Sequence, residues 1–352
     1  MTHFEPDYHQ IVDAARNIKP DRLPQYDHIV DTGVMEKVLN TRFSHLGKSD
    51  LLDDRRTFSR EYAQGLRSLG YDIVVFEACL NQIINGGNSL MGKEAGPIQT
   101  EEDYDNFPWD TLHDTYFSTF DEHFSLLCET MPDGMKAVGG VGNGVFEVLQ
   151  DCVRYTELCM MMLENPDLFR KLITRIGDVL ARIWETFMRK YGDSFCVLRF
   201  GDDLGFKTNT LISDTHIRKH IIPQYKRIID IVHSYEKPFL LHSCGKIVNV
   251  MDDLIHVAGI DAKHSNEDEI APFSFWTAKY GDRIGNFGGV DMNVLVTGTR
   301  ESVREYTMGI IRNAADRKGF ACGSGNSIPD YVPAENYAAM LETIQEYRTS
   351  SA

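Results

Sequence analysis

The sequence predicts an α/β fold, a single TIM (β/α)8-barrel domain over residues 1–352 with an N-terminal helical extension. Short apolar segments typical of buried strands alternate with helical segments about eight times, and such strands pair in parallel through right-handed crossovers. Polar side chains follow the strand ends, as they do around the active sites of closed barrels. An open doubly wound sheet would normally carry a phosphate-binding first turn, which is absent, and the spacing of Gly139, Gly142 and Gly144 does not fit the dinucleotide fingerprint.

The predicted helices rest on apolar residues at helical spacing and on start signals such as Asn165-Pro166-Asp167. The predicted strands are short apolar runs, such as Phe239-Leu240-Leu241. In chain order we predict helix 7–17, strand 23–30, helix 51–69, strand 72–77, helix 109–131, strand 136–141, helices 145–163 and 165–191, strand 195–200, helix 213–235, strand 239–241, helix 246–257, and strands 259–263, 283–287 and 319–321. Each of these last three strands is followed by a helix, the last of which is 333–347.

A long loop near residues 85–110 interrupts this alternation, because it contains several glycines together with Pro97 and Pro108. A loop of that length inside a compact domain is often functional, for example as a lid. A plain surface excursion is the alternative, and the sequence leaves both open.

Composition limits the class of protein. The chain is 42% hydrophobic and 25% charged, as in ordinary globular proteins, and its formal net charge is −16. An acidic surface argues against nucleic acid and anionic membranes as main partners. The sequence has no apolar run near the length of a membrane span and no signal peptide, and its seven cysteines form no dense framework. We therefore expect reduced thiols and a cytoplasmic location.

The strongest chemical signal is the pair His242 and Cys244 at the end of a predicted strand. Side chains two residues apart share one face of a strand, and imidazole and thiolate are preferred ligands of zinc. A second cysteine, Cys322, follows another predicted strand end. The alternative is that these cysteines are small buried hydrophobic residues, which is the common case.

Further polar residues follow the other strand ends. The paired carboxylates Asp202 and Asp203 would serve a metal, act as a base or bind substrate; capping of the next helix is the structural alternative. The complete set expected around the barrel mouth is Glu77, Asn143, Asp202, Asp203, His242, Cys244, His264, Glu267, Asp291, Cys322 and Asn326.

Several of these motifs together resemble the uroporphyrinogen decarboxylase superfamily, whose fold is a TIM barrel. The resemblance covers nearly the whole chain in order. It is carried by the segments 19–22 (KPDR), 144–147 (GVFE), 202–205 (DDLG), 242–245 (HSCG), 264–268 (HSNED), 288–291 (GGVD) and 323–329 (GSGNSIP).

Two chemistries are known in that superfamily. True decarboxylases carry an Arg-rich segment near the N-terminus and a His in the last Gly-rich loop, whereas residues 21–33 have no such segment and the loop here reads 323–326 (GSGN). Glu77 would replace their catalytic Asp. The zinc-dependent methyltransferase branch has a His-x-Cys…Cys ligand pattern, and His242, Cys244 and Cys322 match it residue by residue.

The resemblance to the methyltransferase branch implies Zn²⁺ and a corrinoid (cobalamin). The corrinoid is expected on a partner protein, since the chain has no Asp-x-His-x-x-Gly module of its own. The expected reaction moves a methyl group between a small methoxylated substrate, such as an aryl methyl ether, and that corrinoid protein, as in O-demethylases. Methylcobamide:thiol (coenzyme M-type) methyl transfer, a decarboxylase and a non-catalytic zinc protein are the alternatives. We expect catalytic roles for Asp202, Asp203 and Glu77, and substrate binding by Asn143, His264, Glu267 and Asn326. A homodimer is compatible with the sequence.

Overall fold

The computed structural model describes residues 4–84 and 96–350. Its centre is a curled sheet in which seven parallel strands lie side by side in the order of the sequence. Each strand leads through a helical connection to its neighbour, so the carboxyl ends of all seven lie at one edge. The strands are β1 (Ile73–Ala78), β2 (Lys136–Val141), β3 (Phe195–Gly201), β4 (Phe239–His242), β5 (Ala262–His264), β6 (Gly285–Val290) and β7 (Phe320–Ser324).

The predicted first strand, 23–30, is not a regular strand. It runs beside β7 and forms two separate parallel bridges, Gln25 with Cys322 and Val30 with Ile328. Pro24 accepts a hydrogen bond from the Cys322 N–H but has no N–H of its own to extend a ladder. The described residues therefore form a seven-stranded parallel sheet, where the sequence predicted a closed eight-stranded barrel.

Helices cover the outside of the sheet. The longest, at 166–191, buries a stripe that includes Leu172, Ile176, Leu180 and Trp184, spaced by four residues. The α-helices are α1 (His9–Ala15), α2 (Thr32–Leu39), α3 (Leu52–Ser68), α4 (Glu101–Asn106), α5 (Leu112–Thr130), α6 (Val145–Val153), α7 (Tyr155–Glu164), α8 (Pro166–Tyr191), α9 (Asp214–His216), α10 (Ile222–His233), α11 (Met251–Asp253), α12 (Phe273–Tyr280), α13 (Met292–Thr297), α14 (Arg300–Ala314) and α15 (Ala334–Ser350). Within 4–84 and 96–350, no helix combines the length and the apolar character that crossing a membrane requires.

Other predicted elements also differ in detail from the structure. The helix predicted over 145–163 is two helices, because Arg154 has a φ of 76° and breaks the hydrogen-bond ladder between α6 and α7. The helix predicted over 246–257 begins later, at Met251. Of the predicted loop, residues 85–95 lie outside the described residues, and the remainder contains α4, which begins with a capping box between Thr100 and Asp103.

Candidate metal centre

The register of three strands brings the predicted histidine and cysteine to the carboxyl edge of the sheet. Gly201 of β3 pairs with His242 of β4, and His242 pairs with His264 of β5. Asp203 and Cys244 each follow these strand ends by two residues. Side chains from separate parts of the sequence therefore meet here, as in parallel barrels.

Asp203, His242 and Cys244 offer ligand atoms that all lie within 4.8 Å of one another. The Cys244 Sγ is 3.5 Å from His242 Nε2, and the Cys244 N–H donates to Asp203 Oδ1 at 2.8 Å. Two further donors point at the sulfur, Ser265 Oγ at 3.5 Å and Asn326 Nδ2 at 3.4 Å. Donors aimed at sulfur stabilise the thiolate, the form in which cysteine binds a metal.

Without a metal ion, burial favours the neutral forms of Cys244 and His242. It raises the pKa of the Cys244 thiol, to which the Asp203 charge adds. It lowers the pKa of His242, and nearby His264 acts in the same direction. A neutral imidazole is ready to bind a metal, and a cation would offset the cost of ionising the buried thiol. One sulfur, one nitrogen and one carboxylate form a donor set that fits zinc.

A second group of ligand atoms within 4.8 Å consists of His28, His242 and His264. The rings of His28 and His242 stack with centroids 3.7 Å apart at 18°. All three side chains are buried, and the positive charge of Arg199 acts on the imidazoles and lowers their pKa values further. The set with Asp203 and Cys244 can bring two negative charges to a cation, so we favour it over this all-imidazole group.

The structure does not bring the predicted ligand Cys322 to this centre. Among the described residues, neither group of ligand atoms includes it. Phe320, two residues earlier on β7, packs against Phe273 of α12, and alternation along the strand turns Cys322 to the same helical side. The charges that act on its thiol are accordingly those of Asp27 and Arg348. Asp203 is the third member of the candidate group, where the sequence predicted Cys322.

Asp202 caps a helix. It is fully buried, and its two oxygens accept the backbone N–H groups of Phe146 and Glu147 at the start of α6, together with the Tyr225 hydroxyl. Burial raises the pKa of this carboxyl to about 7, against the effect of these three donors. Asp202 therefore has the contacts of a helix cap, which was the structural alternative in the sequence analysis. The helix that it caps is α6, which precedes it in the chain, and not the helix that follows it.

Glu77 forms an ion pair with the buried Arg199. Its Oε2 accepts a hydrogen bond from Arg199 at 2.5 Å. Arg199 also donates to the Tyr26 hydroxyl at 2.9 Å and to the His28 carbonyl at 2.8 Å. Glu77 therefore serves first as the counter-ion of a fully buried guanidinium.

The residues predicted to bind substrate fall into two groups. Glu267 and Asn326 line a cavity of about 400 Å³ that also includes Asp291. Because Asn326 contacts Cys244 as well, the cavity adjoins the candidate metal centre. Asn143 instead bridges protein groups, since it donates to Glu147 and accepts from the Asn81 N–H. Both ring nitrogens of His264 are likewise used within the protein.

Sequence reasoning missed three residues here. His28 follows the same rule as the others, a polar side chain near the end of a predicted strand, and Arg199 is a charged residue inside an apolar strand. Glu147, in the first turn of α6, accepts the Asp203 N–H at 3.2 Å. Burial and the charges of Asp202 and Asp203 raise its pKa. Each of the three had a signal in the sequence. His28 and Arg199 are titratable or charged side chains in predicted strands, and Glu147 follows a Gly-rich turn.

These features define a barrel-like α/β protein with a candidate metal centre at the carboxyl ends of its strands. The family model for uroporphyrinogen decarboxylase (URO-D) matches residues 64–347, and the chain belongs to that family. The superfamily resemblance seen in the sequence is thereby confirmed, while its zinc-dependent branch remains a prediction.

Solved structures show how widely the fold is shared. A methyltransferase from Methanosarcina mazei superposes with a TM-score of 0.76 at 16% identity, over 97% of this chain and 99% of that one. A Listeria monocytogenes protein assigned as a vitamin-B12 independent methionine synthase gives 0.55 at 12% identity, over 95% and 98%. With so few identical residues, the likeness establishes a common fold. No curated protein matches the sequence significantly.

Proposed function

We propose that this protein is a zinc-dependent methyltransferase that moves a methyl group from a small methoxylated compound, such as an aryl methyl ether, to a corrinoid carried by a separate protein. The observation that carries the proposal is the meeting of Asp203, His242 and Cys244 at the carboxyl edge of the sheet. Membership of the URO-D family and the fold shared with a methyltransferase support it.

Asp203, His242 and Cys244 would hold the zinc. Bound there, it would supply a Lewis acid that polarises a methoxy oxygen and makes it a better leaving group. Asp203 and the Cys244 thiolate together would neutralise the two positive charges of the ion. Ser265 and Asn326 hold the sulfur by hydrogen bonds, and the cavity that Asn326 lines gives a small molecule room beside the centre.

The donor set favours an oxygen substrate over a thiol. Thiolate-rich sites are soft, whereas carboxylate donors suit harder ions and oxygen ligands. With Asp203 in place of Cys322, the set contains a single thiolate. Methyl transfer to a thiol is therefore our second candidate. A purely structural zinc site is less favoured, because such sites are closed by four protein ligands and the described residues bring three together.

Metal analysis of the purified protein tests the ligand set. We expect one zinc per chain in the wild type and in Cys322→Ser, and loss of zinc in Cys244→Ser and Asp203→Asn. Cys322→Ser is the matched control, because it removes the other candidate sulfur by the same substitution. Loss of zinc from Cys322→Ser with retention in Asp203→Asn would reject this assignment and restore the predicted His242, Cys244 and Cys322 set.

The activity is tested by incubating the protein with methoxylated aromatic compounds and a reduced corrinoid protein, and following formation of methylcobamide by its absorption spectrum. We expect transfer with the wild type and none with His242→Ala. Transfer at the wild-type rate by a zinc-free His242→Ala protein would overturn the mechanism. Transfer to a thiol such as coenzyme M, without demethylation of any methoxy compound, would favour the second candidate.

A further inference from the structure

His264 makes two hydrogen bonds that determine where its proton lies. Its Nε2 is 3.0 Å from the carbonyl oxygen of Ser324, and its Nδ1 is 2.8 Å from Nδ1 of His242. A carbonyl accepts hydrogen bonds and never donates them, so Nε2 of His264 carries a hydrogen. The ring is fully buried, and in its neutral form Nδ1 then has a free lone pair.

The proton on His242 follows from this arrangement. Because Nδ1 of His264 accepts, Nδ1 of His242 donates, and the neutral His242 ring has no hydrogen left for Nε2. That unprotonated Nε2 is the atom 3.5 Å from the Cys244 sulfur. The two hydrogen bonds from the Ser324 carbonyl through His264 thus leave the lone pair of His242 Nε2 free on the side of Cys244, where the metal would bind.

We propose that His264 is a positioning residue that fixes the tautomer and orientation of His242 for metal binding. This inference rests on the zinc centre of the proposed function and deepens it. Orienting partners of this kind around ligating histidines typically change metal affinity by about 10–100-fold when removed. The substrate-binding role that the sequence suggested for His264 is replaced, because both of its nitrogens are already engaged.

The surroundings keep the His264 ring in place. The Tyr26 ring packs against it edge-on at 5.2 Å. On another side lies Gly288, whose φ of 103° favours glycine and where an added Cβ would stand 3.0 Å from His264 Cδ2. The stacked ring of His28 covers one face of His242. The pair of imidazoles is therefore held by packing as well as by hydrogen bonds.

Two substitutions of similar size separate hydrogen bonding from packing. His264→Leu removes both hydrogen bonds. In His264→Gln the amide oxygen can accept from His242 and the amide nitrogen can donate to Ser324. We measure the zinc dissociation constant of each purified protein by competition with a chromophoric chelator. We expect binding about 10–100-fold weaker in His264→Leu and within a few-fold of wild type in His264→Gln.

Equal affinity of wild type and His264→Leu would overturn the inference, as would a His264→Gln protein no tighter than His264→Leu. If the wild type binds no zinc, the proposed function fails. In that case, or if a variant does not fold, a second measurement decides the inference. It is the ¹H–¹⁵N correlation spectrum of the zinc-free wild type labelled at histidine. The signal that disappears in His242→Gln should report hydrogen on Nδ1, and hydrogen on Nε2 would refute the proposal.

Discussion

Replacing Asp202 with asparagine separates its structural role from the catalytic role that its position in the sequence suggested. The buried carboxylate accepts the Glu147 N–H at 2.6 Å, the Phe146 N–H at 2.9 Å and the Tyr225 hydroxyl at 2.5 Å. In Asp202→Asn one oxygen becomes an amide that only donates. Whichever way the amide turns, at least one backbone N–H of α6 faces it without an acceptor.

The expected loss of stability follows from these contacts. Leaving a buried backbone N–H without an acceptor costs about 1–3 kcal/mol, and above the raised pKa of about 7, where the carboxyl is ionised, loss of a carboxylate from the helix N-terminus adds about 0.3–1 kcal/mol. We therefore expect Asp202→Asn to lower the free energy of unfolding by about 3 kcal/mol. At roughly 2.1 cal/mol/K per residue, the unfolding entropy of this chain is about 0.7 kcal/mol/K, so the melting temperature should fall by about 4 °C.

The assay combines thermal unfolding with metal analysis of Asp202→Asn and of its neighbour Asp203→Asn. We expect Asp202→Asn to melt earlier and keep its zinc, and Asp203→Asn to lose its zinc with a smaller change in the melting temperature of the zinc-free protein. A thermally unchanged Asp202→Asn protein that is nevertheless inactive would refute the reasoning and return Asp202 to the catalytic residues.

Three further predictions concern other parts of the chain. Gly144→Ala should lower the free energy of unfolding by about 1–3 kcal/mol, because the added Cβ would lie 2.4 Å from an Asp202 oxygen. Thermal scans should show this as a lower melting temperature. The control Gly309→Ala, where the added Cβ meets open space, should raise the melting temperature slightly. The hydrogen bond to Asp261 raises the pKa of His233. The stabilisation by this pair is therefore present below about pH 6.5 and is lost as the pH rises through the raised pKa. The free energies of urea unfolding of wild type and His233→Gln should differ more at pH 6 than at pH 9. Asn326→Cys should tighten zinc binding in chelator competition, because it places a second thiol beside Cys244.

The sequence by itself determined the alternation of strands and helices and one pair of candidate ligands. Hydrophobic runs and start signals are local, so they locate elements such as β1, β4 and α8 without knowledge of the fold. His242 and Cys244 are two residues apart at a strand end, and the two-residue period of a strand places them together in any parallel sheet. The family resemblance is equally a property of the sequence, because its motifs occur in order along the chain.

Only the tertiary structure decided which third side chain joins them. Asp203 follows β3 and Cys322 lies within β7, but the direction of each side chain depends on how its strand packs against the helices. The packing of Phe320 on Phe273 turns Cys322 away, whereas the register of β3 with β4 sets Asp203 beside Cys244. Long-range register and side-chain direction are set by the packing of the whole sheet, and no local pattern records them.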